Sequence, residues 1–139
     1  MWIFYALLSA VFAAGVAIFG KLGLKALDPT LATAVRSVIM AAFMISAAFA
    51  LGKFNGFNLQ SFTGKEWLLV AGAGIAGALS WLFYFTALKV GPATGVSAID
   101  RLSVVFVVIL AAIFLGEALT WKTAFGAVLI TAGALLFVL

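Results

Sequence analysis

Five continuously apolar runs, each long enough to cross a lipid bilayer as a helix, constrain this 139-residue chain more than any other feature. A hydrocarbon core about 30 Å thick takes about 20 helical residues at a rise of about 1.5 Å each. The runs fall at 2–20, 31–51, 67–88, 96–115 and 123–139. A membrane β-barrel would instead alternate apolar and polar residues in segments of about ten. A cleaved signal peptide accounts poorly for the first run, which lacks Lys or Arg before it and outlasts the usual signal core. With 67% of residues apolar and 9% charged, too little polar surface exists to cover a water-soluble globule. The expectation is an all-α membrane protein: one domain over 1–139 with five transmembrane helices, multi-pass in the cell (inner) membrane.

The polar residues between the runs carry helix punctuation. Asp28-Pro29 pairs an N-cap residue with a helix-opening proline, so the second span should start there. Thr63 and Glu66 have capping-box spacing and place the start of the third span near Trp67. The connector KVGPATG, with its proline and glycines, reads as a tight turn, and Gly116 in LGEALT reads as a C-cap that makes Glu117 structural. The Gly91/Gly95 and Gly52/Gly56 pairs have GxxxG spacing but lie in connectors and read as turn glycines. Trp2, Trp67 and Trp121, at span ends, read as interfacial anchors.

Charge and composition exclude several function classes. Without cysteine or histidine there is no thiolate, no Cys/His metal site and no imidazole acid–base chemistry. No paired acids, nucleophile–base arrangement or nucleotide-binding signature is present, so neither an enzyme nor a bound cofactor or metal is expected. The net charge of +4 is scattered over loops rather than gathered into a basic face, so nucleic acid is not an expected partner. Lys53, Lys65 and Lys122 fall on one side of the membrane and Lys21, Lys25 and Lys89 on the other, with Arg36 and Arg101 near the second. That count only weakly biases the second side toward the cytoplasm and is what a chain inserting in both orientations would carry.

Ionisable residues inside spans are functional candidates because their burial in hydrocarbon is costly. Arg36 either snorkels to the headgroups or faces the bundle, where it meets Asp100 or an anionic substrate group. Asp100 is a cap if the fourth helix starts at Ser97, and an intramembrane carboxylate if it starts at Pro92. On a helix Ser97, Asp100 and Ser103 share one stripe, while Arg101 is turned about 100° away. The third span adds the stripe Ala73, Gly77, Ser80 and Tyr84, flanked by Trp81 and Phe85, which is either packing or a cavity lining. The candidate substrate or coupling-ion residues are Arg36, Ser80, Trp81, Tyr84, Asp100, Arg101 and Ser103. Two arginines against one aspartate lean toward an anionic or zwitterionic solute, whereas Trp81 and Tyr84 offer ring faces to a cation.

The residues ALKVGPATG, IDRLSVVF and above all FLGEALT (Phe114 to Thr120), with Asp28-Pro29 and Arg36 in the first half, resemble the EamA domain of the drug/metabolite transporter superfamily, in its five-span bacterial and archaeal branch. The resemblance covers the whole chain. Many members carry a proline in the fourth span where this chain has Ser103 or Val104. The family's usual form joins two five-helix repeats of opposite orientation around a substrate held near mid-membrane. One half in a single chain implies a homodimer, possibly antiparallel, that moves small metabolites or drugs by alternating access. The competing reading is a non-transporting membrane subunit or assembly partner, which packing through small residues would serve as well.

Overall fold

A computed structural model describes residues 1–58 and 62–139, and within them the chain is helical. In order come α1 (Trp2–Gly23), α2 (Pro29–Ala50), α3 (Gly64–Val90), α4 (Ala93–Asp100), α5 (Ser103–Leu110), a π-helical segment (Ala111–Leu115) and α6 (Trp121–Leu136). Among the described residues four stretches are long and apolar enough to cross a membrane: α1, α2, α3 and the combined run Ala93–Leu115. The last helix, Trp121–Leu136, is shorter and also apolar. The all-α expectation holds.

The local signals act where the sequence places them. The Asp28 carboxylate accepts from the N–H groups of Thr30 (2.9 Å) and Leu31 (3.1 Å), with Pro29 as the first helical residue of α2. Thr63 and Glu66 close their capping box, the Thr63 N–H donating to the Glu66 carboxylate at 2.8 Å and the Glu66 N–H to the Thr63 hydroxyl at 3.3 Å. That cap starts α3 at Gly64, earlier than Trp67. Gly116 takes the left-handed conformation (φ +67°), open to glycine at little steric cost, and ends the π-helical segment. The Thr120 hydroxyl accepts from the Thr123 N–H at 3.2 Å and starts α6. Of the polar stretch 52–66, residues 59–61 lie outside the described residues.

The chain divides into two compact units, residues 1–21 with 90–139, and residues 22–89. In the first, α4 and α5 pack on α6 and the buried residues are small: Ala17, Gly95, Ala111, Ala127 and Ala134. Without lipid-versus-lipid hydrophobic drive, close approach of backbones through such residues is what holds helices together in a membrane. Gly95 corrects its reading as a turn glycine: it sits inside α4, where a Cβ would come within 3.3 Å of Pro92 and 3.7 Å of the Phe137 carbonyl oxygen. Gly52 and Gly56, at φ +65° and +79°, are turn glycines as read. The Lys21 ammonium, at the end of α1, donates to the Gly91 carbonyl at 2.7 Å.

In the second unit the buried residues are Leu24, Thr33, Phe85 and Leu88. Lys89 donates to the carbonyls of Leu24 and Leu27, the latter at 3.1 Å, and so satisfies backbone oxygens left open after α1. Beyond α2 a chain of ring contacts runs Phe49, Phe54, Phe57, Phe62, Trp67, with neighbouring centroids 4.5 to 5.9 Å apart. Aromatic rings gathered at a span end suit the membrane–water interface. Inside the spans, hydroxyls are satisfied by their own helix: Thr33 on Pro29, Ser37 on Thr33, Thr86 on Leu82 and Thr131 on Ala127, at 2.7 to 2.9 Å.

Candidate functional site

Arg36 lies two turns into α2, about 10 Å along the helix from Pro29. Its guanidinium carbon stands 3.7 Å over the centroid of Trp81 on α3 and 5.5 Å from that of Phe85, and the residue is half-buried. The platform is itself a cluster: Trp81 meets Tyr84 edge-on at 5.4 Å and Phe85 edge-on at 6.0 Å, with Phe85 buried. Helical spacing puts Trp81 and Phe85 one turn apart, so a single α3 face offers both rings to one α2 side chain. A guanidinium over an aromatic face is held by ring quadrupole and dispersion, a contact that uses none of its N–H groups as hydrogen-bond donors. None of those N–H groups meets an acceptor among the described residues.

The face of Trp81 that meets α2 carries the protein's own cation. Ser80 is exposed on the same helix and Tyr84 is half-buried beside Trp81. Arg36, Trp81 and Tyr84 are thus brought together within residues 22–89; Asp100, Arg101 and Ser103 belong to the other unit.

There the fourth span is broken where its charges sit. α4 starts at Ala93, with Pro92 in extended conformation before it and no side-chain cap, so Asp100 is its last residue. The capping reading of Ser97 and Asp100 is therefore wrong: Asp100 lies about 10 Å into the span. At Arg101 and Leu102 the hydrogen bonds tighten to i→i+3. Arg101 donates to Ala98 (3.1 Å), Leu102 to Ile99 (2.9 Å), Val104 to Arg101 (3.1 Å) and Val105 to Leu102 (2.9 Å). The helical ladder thus breaks without proline, beside Ser103 and Val104 where the related pattern carries one. Asp100, Arg101 and Ser103 are all exposed on the chain's surface. A second irregularity follows at the π-helical segment, and such turns inside helices often mark functional sites.

An apolar groove of about 440 Å³ runs between α5 and α6, lined by Val105, Val108, Leu119, Ala127, Thr131 and Leu135. Its one hydroxyl, on Thr131, is spent on the Ala127 carbonyl at 2.9 Å, so the groove holds no free polar group to recognise a solute. Neither the Arg36–Trp81 contact nor the break at Arg101 is legible from spacing. The first is tertiary, and the second sits in an apolar run without Gly or Pro to flag it.

The EamA-like transporter family matches residues 1–139. A Sinorhizobium sp protein described as "Uncharacterized transporter in cobO 3'region" is 41% identical over 135 residues, 97% of this chain and 94% of that protein. No solved structure matches the chain significantly.

Proposed function

The chain belongs to the EamA-like transporter family, and from that membership we propose that it is a secondary transporter or exporter of small metabolites or drugs, working as a homodimer by alternating access in the cell (inner) membrane. The observation that carries the dimer is the exposed Asp100–Arg101 step inside the apolar run Ala93–Leu115. Opposite charges on adjacent helical residues point about 100° apart and do not pair within the helix. Left against lipid, both would be expensive, so protein covers that surface. A second copy supplies the complementary charges at no cost in new sequence, because a two-fold contact sets Asp100 of one copy against Arg101 of the other. Broken helices near charged residues are also where transporters of inverted-repeat design hold solute and coupling ion.

Any uphill movement draws on an ion gradient or a partner, since no nucleotide-binding signature is present. The test is flux in proteoliposomes across a panel of amino acids, organic acids and cationic drugs, alongside the oligomeric state of the purified protein. Saturable flux from a dimer is expected. No flux for any solute, together with stable capture of another membrane protein, would replace the transporter with an assembly subunit.

A further inference from the structure

We infer that Arg36, stacked on Trp81, is the receptor for the carboxylate of a small organic anion. The inference rests on the transporter reading only in calling that anion the substrate.

The charge balance of residues 22–89 points to it. This unit holds Lys25, Arg36, Lys53, Lys65 and Lys89, but only two acids, Asp28 and Glu66. Both acids are committed to helix starts: Asp28 to the N–H groups of Thr30 and Leu31, and Glu66 to Thr63. Neither reaches inside a span. Arg36 therefore holds a half-buried positive charge about two turns into an apolar helix with no carboxylate of its own unit to balance it. Trp81 holds the guanidinium at 3.7 Å, and the N–H groups meet no acceptor among the described residues, so the fork is open to a ligand. A carboxylate matches that fork with two parallel charge-assisted hydrogen bonds, which a lysine in the same place would not reproduce. The half-buried ring of Tyr84, edge-on to Trp81, extends the aromatic surface beside this pair, so the anion's organic body has somewhere to lie.

A lipid headgroup phosphate offers related chemistry, and Asp100 is a carboxylate elsewhere in the chain. The experiment separates all three. In full-length protein with Trp2, Trp67 and Trp121 changed to Phe, Trp81 emission reports on the site directly. The purified variant in phosphate-free maltoside micelles is titrated with acetate, benzoate, phenylacetate and glutamate, each against its neutral amide. At least one carboxylate should bind saturably and at least about tenfold more tightly than its amide. Arg36→Gln should remove that preference and Arg36→Lys should keep a weakened one, with helicity and elution volume checked in each. Should Arg36→Gln fail to fold, the weakened preference in Arg36→Lys alone reads the fork.

Four results overturn the inference. Amides that match their acids throughout are one, and a preference unchanged in Arg36→Lys and Arg36→Gln is another. Binding abolished by a few mole per cent of phosphatidylglycerol assigns the fork to a headgroup. Binding that emerges only in Asp100→Asn assigns it to Asp100. The assay contains no flux, so absent flux with intact binding sinks the transporter reading alone.

Discussion

Two charged residues do most to set this chain apart from an inert apolar bundle, and each is held differently. Arg36 is paid for locally by the Trp81 face at 3.7 Å. A partly desolvated cation–π contact is worth about 1 to 2 kcal/mol. A cycle of Arg36→Met, Trp81→Leu and the double variant should therefore show a coupling of about 1 kcal/mol in thermal unfolding in detergent. Strict additivity would mean that the two side chains do not act together. Asp100, in contrast, is exposed and has lost its role as a cap, because α4 starts at Ala93. Asp100→Asn keeps its shape and removes its charge. It should shift the monomer–dimer equilibrium toward monomer by about tenfold or more, measured by dilution of fluorescently labelled protein in micelles. An intact dimer that has lost pH-dependent flux would instead make the carboxyl a proton carrier. Sequence spacing singled out both residues because charge inside a span is rare. It left their partners open, since a partner on another helix is a matter of packing.

At the scale of elements, what is local was legible and what depends on an exception inside an apolar run was not. Asp28, the Thr63–Glu66 box and Gly116 each act within a few residues of themselves, and each marks a helix end as read. The fourth span reads as continuous because Ile99 to Leu115 contains no glycine or proline, yet it breaks at Arg101 and Leu102 and turns π-helical from Ala111. The break has a mechanical consequence. Ser103 is the first residue of α5, directly after the break at Arg101 and Leu102. Proline there takes the first helical position, which it favours. Val107 sits inside α5, where proline removes a ladder bond and clashes with the preceding turn, at about 3 kcal/mol or more. Ser103→Pro should thus lower the melting temperature in micelles far less than Val107→Pro. Equal losses would mean that the fourth span behaves as one unbroken helix.

For the whole molecule the open variable is which way it inserts. Lys21 and Lys89 hold backbone carbonyls of the connectors, Lys21 on Gly91 and Lys89 on Leu24 and Leu27, and both count in the loop balance. The balance of Lys53, Lys65 and Lys122 against Lys21, Lys25 and Lys89 therefore stands even, with the two arginines as a slight bias. A chain so poised responds to small changes, which makes orientation a controllable quantity. Asn55→Lys with Asn58→Lys adds two charges to the first group and should fix its loops in the cytoplasm. Lys53→Gln with Lys65→Gln removes two and should fix the opposite orientation. Single cysteines placed at Gly64 and Ala26, labelled from either side of intact cells, report the outcome. The parent should label at each site from both sides, and each locked variant from one. If the working unit is an antiparallel pair, each locked variant alone makes no functional dimer, and co-expression of the two restores flux to near the parent level. Full flux from either locked variant by itself would instead establish a parallel assembly. It would remove the inverted-repeat account of how the two copies alternate.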